Sequence, residues 1–388
     1  MPLRTRHAFR ILLLLCALPP VFGCSEQVTP SGVLPIAEEW RIEPSGVRIG
    51  EAEGRPEYEL NRVQRPIFTT DSTVAFVHDY GEVRFYTTAG RYQKTFGRRG
   101  GGPHEFAQLL GVYNYNDTLI AIDPPRRRAV VLSASGEFIR SFELVSQSVD
   151  PFAGLAFFRV DEFAGALNGP MPAVTKPTAV RLSATLVLQR KGKQEELLAV
   201  PGPARMALPG GYNGRPLTEQ TRIAPWKGRM VLADPESAFI RIATTNGEVE
   251  RTIRLPAATR RVTDETIEGL KAAIKVEARR AGVPEQIFAV PSYATYPEQL
   301  PYWGRLFASH NECIWIRRYW APGETYYEWL ILDPMSNRLA SLRVPVDLHI
   351  SDVRNDLAVA LERDELDVQH LAFYRIVRPD GSSHCKAR

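Results

Sequence analysis

Residues 97–106 read GRRGGGPHEF. Four glycines and a proline in ten residues break both strand and helix, so the stretch is a connection. What flanks it is repeated. Ahead of it lie TVAFV (73–77), His78 and Asp79, VRFY (83–86), the turn TTAG (87–90) and RYQKTF (91–96). Beyond it lie TLIAI (118–122), Asp123, AVVL (129–132), SASG (133–136) and EFIRSF (137–142). Both sides give a strand, an Asp, a strand, a small polar turn ending in Gly, and a strand. A third copy is RMVLA (229–233), Asp234, FIRIA (239–243), TTNG (244–247) and EVERTIRL (248–255). Short β-branched runs joined by Gly-containing turns are strand and hairpin signals. Asp79 and Asp123 are 44 positions apart. That period, with several strands per unit, predicts an all-β chain of propeller blades.

Weaker copies follow. CIWIRRYW (313–320) with WLILDPMSNRLASLRVP (329–345) gives a fifth unit, and LAVAL (357–361) with VQHLAFYRIV (368–377) a sixth. One irregular unit must fit between Asp123 and Asp234, supplied by AVRLSATLVLQ (179–189) and EELLAV (195–200). The last unit lacks a final strand. VRIGEAEGRPEYEL (47–60) matches KTFGRRGGGPHEF (94–106) in its Gly-to-Pro spacing, yet has no strands of its own unit before it. Residues 40–50 are therefore expected to pair as the outer strand of the last blade and close a six-bladed ring, which removes an open sheet edge.

On the GRRGGGPHEF linker and the Asp-ended strands, the chain resembles the NHL-like six-bladed β-propellers of bacterial lipoproteins over roughly residues 40–380. The linker carries His104 where such propellers often have a small residue. Some six-bladed propellers are calcium- or zinc-dependent lactonases or lyases with a metal at the channel mouth. The resemblance thus implies a metal enzyme as the alternative to a binding scaffold. No Glu/Asn/Asp or His set for such a metal can be picked out, and fold alone confers no activity.

The formal net charge is +4, and three of the arginines (Arg4, Arg6, Arg10) precede the apolar run ILLLLCAL (11–18). Without residues 1–23 the balance falls to +1, which argues against nucleic acid as a partner. Basic residues before a short apolar run read as a signal peptide, residues 1–23. Cys24 after Val-Phe-Gly resembles a lipobox, although Phe22 is atypical there. Lipidation of Cys24 would give a membrane anchor, with ordinary cleavage nearby as the alternative. Ser25 after the cysteine implies, by the same resemblance, an outer-membrane lipoprotein. Residues 24–39 then form the anchor and a tether. Export permits a disulfide between Cys313 and Cys385, pinning the 381–388 tail; two separate thiols are the alternative.

VTDETIEGLKAAIKVEARRAGVP (262–284) is helical rather than strand-like: Thr263 is placed to cap it, and Gly282 and Pro284 stop it. The insertion is a cover for apolar surface, or else a lid or docking element. It leaves from the face that carries the second-to-third strand turns and the linkers, and a ligand site is expected there. The candidates on that face are Arg98, Arg99, His104, Arg126, Arg317, Arg318, Tyr319 and Trp320, which would suit an anionic ligand or a protein partner. Recurrence of Asp79, Asp123 and Asp234 at one repeat position favours a hydrogen-bonding role over metal binding. No G-x-S-x-G, HExxH, phosphate loop or dinucleotide motif appears in a supporting context, so no catalytic residue, cofactor or metal ligand is assigned.

Overall fold

The computed structural model describes residues 32–144, 149–150, 153–310, 312–379 and 385. The expected signal peptide and Cys24 lie outside them. The strands run β1 (Ile36–Ile49), β2 (Gln64–Thr70), β3 (Thr73–His78), β4 (Glu82–Thr87), β5 (Tyr92–Phe96), β6 (Gly111–Tyr115), β7 (Thr118–Asp123), β8 (Arg128–Ser133) and β9 (Phe138–Glu143). Next come β10 (Val149–Asp150), β11 (Ala156–Arg159), β12 (Glu162–Asn168), β13 (Thr178–Arg190), β14 (Lys193–Leu208), β15 (Gly211–Gly214), β16 (Arg222–Trp226), β17 (Arg229–Ala233), β18 (Phe239–Ala243) and β19 (Val249–Arg254). After helix α1 (Asp264–Ala281) follow β20 (Trp303–Ala308), β21 (Ile314–Arg318), β22 (Tyr326–Asp333), β23 (Arg338–Pro345), β24 (His349–Arg354), β25 (Leu357–Arg363) and β26 (Gln369–Val377).

Three four-stranded antiparallel meanders are β2–β5, β6–β9 and β16–β19. A six-stranded sheet built on β10–β15 sits between the second and third of them, where the irregular unit was expected. The remaining strands share one eight-stranded sheet, because β1 pairs on both sides. Residues Arg41–Ile49 run antiparallel to β26, as the outer partner of that strand. Ile36–Trp40 run parallel to β23. The tether was expected to extend to residue 39, but the strand begins at Ile36. Trp40 explains this: it is 4% exposed, packs edge-on against Trp315 at 6.1 Å and lies under the Arg378 guanidinium at 4.7 Å. Burying an indole stabilises by roughly 2–3 kcal/mol, and the ladder to β23 and the Glu38–Arg338 pair add to it.

Each apolar cluster joins two neighbouring sets of strands. Phe85 and Val83 meet Val112, Leu119 and Val130; further round, Trp315 and Trp329 meet Ile350, Val353 and Ala358. The last such cluster brings Val359, Leu371 and Phe373 against Phe68, Val74 and Phe76, so the end of the chain packs on the beginning. The first strand of each set faces a common central channel. This is a β-propeller, with most second and third strands buried on both faces, which is why they read as continuous apolar runs.

GRRGGGPHEF folds around its own Phe106, which is fully buried. Gly97 has φ +81°, and a Cβ there would stand 2.3 Å from the Phe106 ring, so only glycine fits. Arg126 donates to the carbonyls of Gly102 and Glu105, and Arg128 to that of Pro103. Asp123, with no exposed side-chain surface, accepts from the amides of Ala107 and Gln108 at 3.2 and 3.1 Å.

Helix α1 starts on a capping box between Thr263 and Thr266 and ends at Gly282 in the left-handed conformation, φ +64°. Gly269 lies against the Pro322 carbonyl, where a Cβ would come within 2.5 Å. Arg280 pairs with Asp367 at 3.3 Å. After the helix, the carbonyls of Thr295 and Tyr296 accept from Arg215 at 3.1 and 2.8 Å. The insertion therefore spans one face, touching turns of several sheets. Among the described residues, no helix is long and apolar enough to cross a membrane.

Candidate functional site

A strand that borders a channel needs apolar residues on its core side and tolerates polar ones on the other. The inner strands β2, β6, β11, β16, β20 and β24 follow that rule and enclose a cavity of about 910 Å³. Four arginines line it: Arg65, Arg222, Arg305 and Arg317. Tyr113, Phe157, Trp226 and Phe307 supply aromatic wall; His310, His349 and Asp352 are among the other polar groups, and Lys227 and Glu312, also in the lining, pair with each other.

Local backbone places each arginine. Arg65 sits in a bulge of β2 with φ +46°, an uncommon conformation for a side chain of its size. There it lies over Gly111, whose Cβ would come within 2.6 Å of the Arg65 Cδ, and over the Tyr113 ring at 4.7 Å. Arg305 and Arg317 are direct partners across β20 and β21. Arg222 pairs with Glu219.

The charges are out of balance. Asp352 is committed elsewhere: it accepts from the amides of Phe68 and Val353 at 2.9 and 2.8 Å and faces His310 at 3.5 Å. Burial pulls the Arg305 guanidinium down to about 9, and Arg317, Arg65 and Arg222 push the same way. Burial also lowers Arg317. It raises Glu219, against the opposing pull of Arg222. Burial, then the charges of Arg317, Arg305 and Arg363, lower His349 to about 4. At neutral pH Arg305 therefore stays charged and His349 is a neutral donor or acceptor.

Of the residues named from sequence, Arg317 alone reaches this cavity; the structure does not bring the eight together. Arg98 pairs with Glu105 at 2.7 Å, and Arg99, in the linker, lies against Gly81 of the β3–β4 turn. His104 stacks between Phe96 and Phe138, at 5.5 and 4.7 Å. Arg126 holds linker carbonyls. Arg318 pairs with Glu328 at 2.6 Å on the same strand as Arg317. The Tyr319 hydroxyl is raised by burial, and its carbonyl accepts from Arg260. Trp320 donates its indole N–H to the Glu324 carbonyl at 3.0 Å. Cys313 and Cys385 are joined as a disulfide, with Cα atoms 5.7 Å apart.

Sequence reasoning missed Arg65, Arg222, Arg305 and His349. The signal it could have used is positional, since each lies at or near the start of an inner strand. Among the described residues, no cluster of three or more His, Cys, Asp or Glu could hold a metal.

No family model matches the sequence, and no curated protein matches it. Solved structures do. A member of the DUF4221 family from Bacteroides vulgatus matches with TM-score 0.50 and 10% identity, over 88% of this chain and 99% of that one. A protein of Bacteroides fragilis described as exported matches with TM-score 0.42 and 10% identity, over 86% and 95%. The calcium-binding regucalcin of Agrobacterium tumefaciens matches with TM-score 0.34 and 10% identity, over 91% and 100%. At these identities the chain shares a fold with the DUF4221 protein, and its chemistry rests on its own cavity.

Proposed function

We propose that this is an exported, lipid-anchored six-bladed propeller that holds a small molecule in its central cavity without transforming it. The observation that carries the binding reading is the cavity. At about 910 Å³ it falls within the range of small-molecule sites, it is aromatic-walled, and a few polar groups converge on it. The count of six is supported by the apolar clusters that link successive sets of strands, with the eight-stranded sheet taken as two blades joined through β1.

Native mass spectrometry of the protein recovered from its own envelope tests occupancy. The expected result is one small-molecule adduct per chain, lost when Ser351, which lines the cavity, is replaced as Ser351→Trp. An adduct that survives Ser351→Trp, or protein that carries none, would sink the cavity reading.

The anchor rests on Arg4, Arg6 and Arg10, the run ILLLLCAL and Cys24, with Ser25 favouring an outer membrane. Cys24→Ser should move the protein from the membrane fraction to the soluble one and abolish labelling by a palmitate analogue. Unchanged partitioning would remove the anchor.

A further inference from the structure

We infer that the cavity takes a small organic anion, its carboxylate or phosphate held between Arg305 and Arg317 and its apolar body along Phe157, Trp226 and Phe307. This rests on the cavity reading above and deepens it.

The first argument is an imbalance of charge. Like charges directly opposite on neighbouring strands repel, and Arg305 and Arg317 occupy such a pair of positions. A guanidinium withdrawn from water needs a partner of opposite charge to remain charged at low cost. Neither of these two has a carboxylate within ion-pair distance among the described residues. The acids nearby are engaged, Glu219 by Arg222 and Asp352 by two backbone amides. What Arg317 does have is the face of Tyr327 at 4.4 Å, and its Nε is buried with no acceptor.

The second argument is complementarity. A guanidinium offers planar paired donors that match the two oxygens of a carboxylate or phosphate. Two of them, with Arg65 and Arg222 also lining the cavity, make a site for one strongly anionic group. Neutral His349 can add a further hydrogen bond from the neighbouring inner strand, β24. The cavity is far larger than one such group needs, and Tyr113, Phe157, Trp226 and Phe307 are part of its lining, so the anionic group should belong to a larger, partly apolar molecule.

The test uses the mature protein in mild detergent and in anion-poor buffer. Phenyl phosphate, benzoate, inorganic phosphate and neutral benzyl alcohol are titrated in turn, followed by melting temperature and calorimetry. Phenyl phosphate or benzoate should raise the melting temperature with concentration, and whichever does so at lower concentration identifies the headgroup. Benzyl alcohol should not. Arg305→Met and Arg317→Met should each weaken the preferred anion at least about tenfold, the loss of one charge-assisted interaction. With no anion present, Arg305→Met should melt no lower than the unaltered protein, because it removes a charge that has no partner. That readout separates a binding loss from a folding loss.

Unchanged affinity in both variants overturns the inference. So does the absence of any anion-dependent shift. Inorganic phosphate binding as tightly as phenyl phosphate overturns the apolar body. If benzyl alcohol binds as well as the anions and Ser351→Trp abolishes both, the cavity stands and the anion falls. If anion binding survives Ser351→Trp, the ligand sits elsewhere and both readings fall.

Discussion

Asp123→Ala should lower the free energy of unfolding by about 3–5 kcal/mol, the cost of removing one partner from a buried ionic group. The carboxylate has no solvent exposure. One oxygen accepts from the Ala107 amide and lies 3.5 Å from the Arg128 guanidinium, with Arg126 3.9 Å away; the other accepts from the Gln108 amide. Alanine would leave two amides without acceptors and two guanidiniums without their acid, all at the junction between the first two meanders. Phe106, whose ring Arg128 covers at 5.7 Å, would lose its support at the same time. Asp123→Asn keeps an acceptor and the shape while losing the charge, so it should cost roughly half as much. Urea unfolding of the three proteins measures this. If the alanine variant lies within about 1 kcal/mol of the unaltered protein, the acid is not what holds the linker.

The same residue shows how far the sequence could be read. The recurrence of Asp79, Asp123 and Asp234 pointed to a hydrogen-bonding role, and each has one, but not the same one. Asp79 is in the left-handed region, φ +44°, and pairs with Arg62 at 3.1 Å. Asp234 accepts from the Glu236 amide in its own turn at 2.9 Å. Only Asp123 accepts from the backbone amides of a linker, whereas Asp79 meets a linker side chain. Repetition of a residue reports a shared backbone position, and the partner is decided by what the neighbouring loop brings. The buried second and third strands were legible because burial on both faces leaves an unbroken apolar run. The helix was legible because Thr263 and Gly282 bracket it.

The inner strands were not legible, and the candidate site is built on them. RIAPW (222–226) and WGRLFA (303–308) mix arginine, glycine and proline with apolar residues, because one side faces a core and the other a polar channel. Such a pattern has neither the alternation of a half-buried strand nor the run of a fully buried one. Arg65 is harder still, since its direction depends on a bulge that the sequence marks only by the proline after it. The arginines conspicuous in sequence, Arg98, Arg99 and Arg126, sit at the linker, where those that bond hold Glu105 and backbone carbonyls.

Breaking the Cys313–Cys385 bond should cost about 4 kcal/mol. The bridge closes a loop with a sequence separation of 72, and closing a loop of that length in the unfolded chain lowers its entropy by about that much at 25 °C. Both cysteines are buried, Cys313 among Trp315, Trp329 and Val353 and Cys385 beside it in the same apolar cluster. The bond fastens a residue beyond β26, the last strand, to the entrance of β21, across the seam that β1 already closes by pairing with β23 and β26. The two fastenings differ in kind. The strand pairing is reversible and local, whereas the covalent link limits how far the last strands can separate once the seam opens. Reduction should therefore lower the urea midpoint and speed unfolding more than it slows folding, because the loop it closes forms late. A Cys313→Ala, Cys385→Ala protein should match the reduced form and lose all response to reductant. If the unaltered protein instead carries two free thiols by mass, and the double variant differs from it by less than about 1 kcal/mol, the tail is not fastened by a covalent bond. An oxidised pair recovered from cells would place folding in an oxidising compartment, which the proposed export requires.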